Sequence, residues 1–301
     1  MDMMENLKGY TQDCINLALN LIHRGIDDVA YRLIVKSSDP QLNFGTNIFT
    51  KQLIKAGVET DKIIHYCNNI FEQGLNHMIY LNTAKAAADC ENFGCASAIF
   101  QAMVKKGVPV RLHYFLPILY YYCEKKSVAG IYWVLKNMFK VGVCADFLLY
   151  ARYVVPCVGV SHHPDDIISS IQETGQPVST AVDALFEFYC YQGKLDYAVH
   201  LIEKHSIGIR TTFSIRQYLS HFNDLREKQY SQYFQVLNYI MKNVGLTEKD
   251  SKEVRGKFLA EILLTNQRAF DQFLRHRDNE VIVEICLCCF IDQIMLTALF
   301  F

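Results

Sequence analysis

The sequence has few residues that break helices and no excess of charge of either sign. Among 301 residues there are only 6 Pro and 15 Gly, a composition that favours helix over strand and excludes a disordered, low-complexity chain. Lys plus Arg number 30 and Asp plus Glu number 31, so the formal net charge is −1. This balance excludes a global basic field, and any nucleic-acid site would have to be a local basic patch.

The sequence also lacks the marks of a secreted protein or an enzyme. Its 11 Cys are odd in number and not spaced as a disulfide framework, and no Asn-x-Ser/Thr sequon occurs, which favours a reducing compartment. We find no nucleophile elbow, phosphate loop, zinc-protease or kinase signature. The sequence therefore predicts a protein that is not an enzyme and needs no cofactor. The first residues, which lack Arg, resemble neither a signal peptide nor a transit peptide.

What is present is a repeat. A Met-x-Lys-x-Gly-Val phrase occurs at 103–108 and again at 138–143, 35 residues later. A second phrase, Gly-x-x-Asp-x-Ala-x-x-Leu-Ile, is shared by 25–34 and 193–202, which lie 168 residues apart, close to five such units. A period of this length is typical of stacked helix pairs.

The period predicts six pairs of helices between residues 11 and 205. The predicted first helices are 11–23, 43–56, 77–89, 113–124, 146–158 and 178–191. The predicted second helices are 27–37, 60–72, 95–106, 128–141, 165–174 and 195–205. A seventh, less regular pair is predicted in "TTFSIRQYLSHF" and "YSQYFQVLNYIMKN".

Local signals support these limits. Ser127 is a candidate N-cap and Gly142 a candidate left-handed residue after the following helix. Pro117 is tolerated only in a first turn, so its helix is predicted to start near residue 113 or 114. Small residues at one position of the second helices allow two helices to cross closely: Ala30, Ala96 and Ala198.

One such unit cannot bury its own apolar face, so neighbours must cover it. The predicted fold class is all-α, an α-α superhelix or solenoid of helix-turn-helix repeats with a concave inner surface. The predicted divisions are six repeats over 1–208, degenerate helical repeats over 209–280, and an apolar tail over 281–301. For the tail, "VIVEICLCCFIDQIMLTALFF", a buried helix or a non-native end is favoured over a membrane span, because Glu284 and Asp292 would lie in lipid.

The unit resembles the pentatricopeptide repeat. The resemblance is carried by the 35-residue spacing, the Gly-x-x-Asp-x-Ala-x-x-Leu-Ile phrase and the Gly-Val before the next first helix. Two longer stretches, "GVPVRLHYFLPIL" to "YARYVVPC" and "VETDKIIHYCNNIFEQGLNHM" to "AIFQAMVKKGV", are similar to a leucine-rich branch of that family in animal mitochondria. The similarity extends over roughly residues 25 to 215. Because members of that branch are much longer, the chain is expected to be an internal portion or a truncated paralogue.

The resemblance implies a function and partners. It implies binding of single-stranded RNA, namely mitochondrial messenger RNA, with roles in its stability, polyadenylation and translation. It also implies a small RRM-domain protein partner and the mitochondrial matrix as location, with cytoplasm or nucleus as the alternative. Neither a small-molecule substrate nor a membrane is implied.

The resemblance also implies candidate contact residues, because repeats of this family read one base per unit. The early-helix positions, near the start of each first helix, are Ile15, Asn47, Leu81, Leu116, Ala151 and Asp183. The unit-closing positions are Arg111 and Asp146, and the positions that sandwich a base are His113 and Leu148. Among the early-helix residues only Asn47 is of a favoured type, so stacking and backbone contacts with little base discrimination are expected.

A possible phosphate track is formed by Lys105, Lys106, Lys125, Lys126, Lys140, Arg152 and Arg210. The alternative is a solvated helical face, because Lys at a helix C-terminus is favoured by the helix dipole in any case. The alternative for His113 is that it does not contact RNA and is an ordinary exposed histidine at a helix start. Most aromatic residues of "YFLPILYYYC" are expected in the core. For the His162–His163 pair the sequence offers no further metal ligands. A different class of function, a scaffold that binds a protein partner, is favoured by the neutral charge and the apolar early-helix residues.

Overall fold

The computed structural model describes residues 2–37, 44–160, 162–210, 213, 217–218 and 229–243. It gives the backbone alone for residues 2–11, 230, 231, 234, 238, 241 and 242. Within these ranges the regular structure is helical and no β-strand occurs. The predicted fold class, an all-α helical repeat of the α-α superhelix type, is confirmed. The tail over 281–301 and most of 209–280 lie outside the described residues, so the predicted divisions at 208 and 280 stay predictions.

The helices alternate as first and second members of pairs. The first helices are α1 (Asp2–His23), α3 (Phe44–Lys55), α5 (Ile79–Asp89), α7 (Leu116–Glu124), α9 and α10 (Phe147–Leu149 and Val155–Val158) and α12 (Val178–Tyr191). The second helices are α2 (Asp27–Ser37), α4 (Thr60–Glu72), α6 (Phe93–Lys105), α8 (Val128–Lys140), α11 (Pro164–Glu173) and α13 (Leu195–Lys204). A further helix, α14 (Tyr230–Asn243), coincides with the second member of the predicted seventh pair.

Burial follows the predicted pattern of the second helices. Ala30, Ala96 and Ala198 are completely buried, as expected where helix axes approach closely. Larger residues of the same helices, such as Ile34 and Leu201, are also fully buried.

In the first unit, side-chain contacts between consecutive second helices link neighbouring pairs. Nζ of Lys62 lies 3.1 Å from Oδ2 of Asp27, so α4 is tied to the first turn of α2. Lys106, the residue that follows α6, forms an ion pair with Glu72 on α4. These partners are 35 and 34 residues apart in sequence, so the contacts have the period of the repeat.

Helix ends match most of the local signals. The Ser127 hydroxyl accepts a 3.3 Å hydrogen bond from the Gly130 backbone N–H, as expected for the predicted N-cap. Gly142 has φ +75°, the left-handed conformation that closes α8. Asn92 caps α6 in the same way as Ser127, accepting from the Cys95 N–H.

Three first helices differ from the prediction at their N-terminal ends or interior. Helix α1 begins at Asp2 rather than residue 11. Residues Leu112–Tyr114 form a 3-10 turn, and α7 begins only at Leu116, which places Pro117 in its first turn as required. Between α9 and α10, residues Tyr150–Val154 form a π-helical segment just before Pro156. Because Pro156 has no N–H, the regular ladder cannot continue there, and a widened turn accommodates the missing donor.

The chain divides into two compact units. The first is Met1–Ala145 with Thr174–Gln176, and the second is Asp146–Glu173 with Pro177–Phe301, each described over the ranges given above. In the described part of the chain no helix is both long enough and apolar enough to cross a membrane.

Candidate functional site

One position recurs at the start of four successive first helices, α3, α5, α7 and α9, and is exposed each time. In the first unit it is held by Phe44, Met78 and His113, separated by 34 and 35 residues. The side chains of Phe44 and Met78 are 56% and 52% exposed, and His113 is exposed in the 3-10 turn before α7. In the second unit the same position is held by Leu148, which is 56% exposed. We call these four residues the helix-start residues.

Single exposed apolar side chains are ordinary on protein surfaces. The helix-start residues differ from such isolated cases because they recur at the period of the repeat. Their side chains are exposed, so packing in the core does not explain why these residue types stand there. Sequence reasoning identified His113 and Leu148 and missed Phe44 and Met78. Counting back one and two repeats from His113 would have found them.

The early-helix residues lie three positions further along each first helix. Asn47, Leu81 and Leu116 in the first unit are half-buried. Ala151 and Asp183 in the second unit are half-buried as well. The exception is Ile15, which is 3% exposed and belongs to the core of the first pair. The five half-buried residues remain predicted contacts.

Asn47 belongs to a polar network between α3 and α5. Its Oδ1 accepts hydrogen bonds of 3.0 Å from the side-chain amides of both Asn76 and Asn82. Asn76 also donates to the Thr46 hydroxyl at 2.9 Å. These bonds fix the side chain of Asn47 before any ligand binds, so that it is a preorganised polar group.

The two predicted unit-closing residues differ in what they contact. Arg111 is exposed, with extended backbone, immediately before the 3-10 turn. Asp146 is also exposed, but its Oδ1 accepts a 2.8 Å hydrogen bond from the Leu149 N–H and caps α9. Its carboxylate therefore already has a structural role, because an N-cap satisfies a helix donor that would otherwise lack a partner.

Asp183 lies in an acidic group of the second unit. Its Oδ1 accepts a 2.9 Å hydrogen bond from the Gly208 N–H, while burial raises the pKa of its carboxyl group. Glu187, one helical turn further along α12, is buried, and its pKa is raised to about 7 because it is desolvated. The guanidinium of Arg210 opposes this shift and stacks 3.8 Å above the ring of Phe147.

The predicted phosphate track is only partly available. Lys106 is paired with Glu72, and Nζ of Lys125 lies 5.7 Å from the centre of the Tyr121 ring. Arg210 is held over Phe147, whereas Arg152 is exposed. As a set, these residues remain a prediction.

The aromatics of "YFLPILYYYC" are divided between core and surface. Phe115 is 1% exposed and packs against Phe100, with ring centres 4.8 Å apart. Tyr121 and Tyr122 are half-buried against Phe93, whereas Tyr120 is exposed.

A cluster that sequence reasoning missed lies where α11 meets α13. Nε2 of His200 is 2.9 Å from Oδ1 of Asp165, and Nδ1 of His163 is 3.8 Å from its Oδ2. Nζ of Lys204 also reaches Oδ2, at 2.8 Å. Hydrogen bonds from Lys204 and then His200 lower the pKa of Asp165 to about 2. Asp165 and His200 are 35 residues apart, so the repeat period itself was the signal that could have brought them together.

No protein-family model matches the chain. It is 32% identical to the mouse leucine-rich PPR motif-containing protein, mitochondrial, over 152 residues, which are 48% of this chain and 11% of that protein. The proteins of the same name from the rat and from Xenopus tropicalis are 28% and 27% identical over 49% and 51% of this chain. The match spans only 11% and 12% of those two proteins. Over about half its length, this chain is therefore related to part of the leucine-rich PPR motif-containing proteins.

Proposed function

We propose that this protein binds single-stranded RNA through the starts of its first helices. The observation that carries the proposal is the recurrence of exposed apolar or aromatic side chains at the helix-start position, at the period of the repeat. Flat or apolar side chains at a regular interval suit successive unstacked bases, because every base presents a face for stacking. The relationship to PPR-motif proteins supports the same ligand.

The expected mode of binding is tolerant of sequence. Leu81, Leu116 and Ala151 occupy early-helix positions and offer no hydrogen bond to a base edge, whereas Asn47 and Asp183 do. Discrimination between bases is therefore expected to be weak, with affinity supplied by stacking and by phosphate contacts from exposed cations such as Arg111 and Arg152. This is a binding role that needs neither a cofactor nor catalysis.

We also propose a location and a more specific role for this protein. The relatives are named as mitochondrial, and we propose that this chain acts in mitochondria, in the matrix, on messenger RNA. Stabilisation of transcripts, support of their polyadenylation and translation, and a small RRM-domain partner are part of this proposal.

The test is RNA binding by the full chain, measured as fluorescence anisotropy of a labelled oligouridine. Phe44, Met78, His113 and Leu148 are replaced together by Ser. Since stacking contributes about 1–3 kcal/mol per base, a loss of at least about tenfold in affinity is expected. Binding should also weaken between about 50 mM and about 200 mM salt, because counterions are released from the phosphates.

The matched control replaces Val29, Val104 and Val160 by Ser. These side chains are exposed and apolar, but they lie away from the starts of the first helices. The proposal expects RNA affinity close to wild type in this variant. Equal losses in both variants, or no binding of RNA at the lower salt concentration, would contradict it.

The protein-binding scaffold is the second candidate. It is favoured by the formal net charge of −1 and by the same exposed helix-start residues, which would then bury against apolar groups of a partner. It predicts binding that is insensitive to salt, so the two-salt measurement separates the two candidates.

A further inference from the structure

Two imidazoles and one carboxylate converge on the second helices of the second unit. His163 immediately precedes α11, Asp165 lies in the first turn of α11, and His200 lies on α13, one repeat later. One nitrogen of each imidazole and one carboxylate oxygen all lie within 4.8 Å of one another. The rings of His163 and His200 are 5.0 Å apart, centre to centre.

We propose that His163, Asp165 and His200 bind a divalent transition-metal ion of the Zn²⁺ class, which clips two consecutive repeats together. Imidazole nitrogen and carboxylate oxygen are the ligands such ions take, whereas Mg²⁺ and Ca²⁺ prefer oxygen alone. Three protein ligands leave at least one position for water. The site is independent of the proposed RNA contacts, which lie on the first helices.

The distances require only side-chain movement. A tetrahedral ion with bonds of about 2.0–2.1 Å places its ligand atoms about 3.3 Å apart. Nε2 of His200 is 2.9 Å from Oδ1 of Asp165, and Nδ1 of His163 is 3.8 Å from Oδ2. Small rotations of the carboxylate and of the His163 ring are therefore needed to bring both nitrogens to this spacing from a single oxygen. The side chains of His163 and Asp165 are 44% and 41% exposed, so both have room to adjust and an ion reaches them from solvent.

The protonation pattern is compatible with binding. Nδ1 of His163 lies 3.3 Å from the Asp165 backbone N–H, so it is the unprotonated nitrogen, and the metal replaces this long contact. Nε2 of His200 faces the carboxylate, and in the bound state its proton moves to Nδ1 or is released. Asp165 is already ionised.

Lys204 competes with a metal ion for the carboxylate of Asp165. Its ammonium lies 2.8 Å from Oδ2 of Asp165, and its side chain is 51% exposed. A metal ion on Asp165 either displaces this ammonium into solvent or adds a second positive charge to the same carboxylate, and both outcomes cost binding energy. Lys204 is therefore expected to weaken metal binding. Replacing Lys204 with a neutral residue should then strengthen metal binding, which a purely structural change would not do.

The experiment titrates the reduced full chain with Co²⁺ and follows the visible d–d absorption, then displaces Co²⁺ with Zn²⁺. The expected result is one equivalent of Co²⁺ bound without a thiolate-to-metal charge-transfer band. His163→Gln and His200→Gln should each weaken binding at least about tenfold, as expected for loss of a ligand or its close support. Lys204→Gln should tighten it by about threefold or more, because a nearby positive charge is removed.

His162→Gln is the matched control, since His162 neighbours the cluster but its Nδ1 lies against the Val158 carbonyl oxygen, 3.1 Å away. Its affinity for Co²⁺ should equal that of the wild type. Far-ultraviolet circular dichroism of each variant establishes that the helices are retained. The proposal is overturned if Co²⁺ binding is unchanged in His200→Gln, if it carries a thiolate charge-transfer band, or if no Co²⁺ binds.

Discussion

The carboxyl groups of Asp183 and Glu187 lie one helical turn apart on α12, and burial raises the pKa of both. Asp183 has the Gly208 N–H as a hydrogen-bond donor, whereas Oε1 of Glu187 has no hydrogen-bond partner in the described part of the chain. Glu187 is thus a buried acid whose ionised form is poorly compensated, since Arg210 opposes the shift without abolishing it. Such a group costs stability when it is charged.

Glu187→Gln is expected to stabilise the protein at alkaline pH. The pKa of Glu187 is raised from 4.5 to about 7, so the folded state binds the proton more tightly than the unfolded state. Its contribution to stability is complete below about pH 4.5 and is lost as pH rises through about 7. At about 1.4 kcal/mol per pKa unit, the loss is on the order of 3–4 kcal/mol, and the amide variant should not show it.

Urea unfolding at pH values of about 5, about 7 and about 8.5 measures this difference, because most of the contribution is present at about pH 5 and nearly all of it is lost at about pH 8.5. Glu173→Gln is the matched control, because Glu173 is exposed in the same unit. A wild-type protein and a Glu187→Gln variant with parallel pH profiles would refute the assignment.

Lys126→Gly is expected to stabilise the protein. Lys126 has φ +52° between α7 and α8, a position where the pairs α1–α2, α3–α4 and α12–α13 have Gly25, Gly57 and Gly193. A side chain in the left-handed region costs about 1–2 kcal/mol, and the greater freedom of unfolded glycine offsets part of the gain. A net gain of about 0.5–1 kcal/mol in the free energy of unfolding is expected.

The reverse substitution provides the comparison. Gly142 has φ +75°, and a Cβ added there would meet nothing within 4 Å. Gly142→Ala should therefore lose about 1 kcal/mol through backbone strain alone. Chemical denaturation of both variants checks the pair, and a destabilised Lys126→Gly would show that the lysine side chain itself contributes at this turn.

The repeat made most of the fold predictable from sequence. Helices α2, α4 and α12 have the predicted limits. The apolar spacing agrees with a glycine before α2 and with glycines on both sides of α4 and α12. The prediction missed the π-helical segment before Pro156 and the 3-10 turn before Leu116. In both segments the backbone adapts to a nearby proline. The conformation that it adopts depends on how the neighbouring residues pack, which the repeat period does not predict.

The candidate site was less predictable. The repeat period was enough to predict the early-helix positions. It did not predict that Ile15 is buried or that Asp146 caps a helix, because both depend on contacts specific to one repeat. The cluster of His163, Asp165 and His200 escaped because its members belong to different pairs. A search for ligands at a separation of one repeat would have included it.

The buried hydroxyls of Thr50 and Thr83 are expected to couple energetically. Their oxygens lie 3.0 Å apart between α3 and α5, and the Thr83 oxygen is also 2.6 Å from the Ile79 carbonyl oxygen. Thr50→Val or Thr83→Val removes one partner and should cost about 1–3 kcal/mol. The double variant should lose less than the sum, because no hydroxyl is then left without its partner. A double-mutant cycle by urea denaturation tests this, and additive losses would contradict the coupling.

Gln176→Ala is expected to be among the more damaging single changes in the first unit. The buried side chain of Gln176 donates 3.0 Å hydrogen bonds to the carbonyl oxygens of Leu135 and Val143, and its Oε1 accepts a 2.9 Å bond from the Ala145 N–H. Truncation leaves three backbone groups without this partner, and at about 1–3 kcal/mol for each unsatisfied group a loss of at least about 2 kcal/mol is expected.

Gln176→Glu separates the hydrogen bonds from the volume of the side chain. It retains the acceptor for Ala145 but sets a carboxyl oxygen against two carbonyl oxygens, so it should destabilise at neutral pH despite its nearly identical shape. Protonation restores one donor, and the deficit should shrink as pH falls toward about 4, near the reference pKa of glutamic acid. Because a packing defect would not respond to pH, a deficit that is constant between neutral and acidic pH would assign the role of Gln176 to volume rather than to its hydrogen bonds.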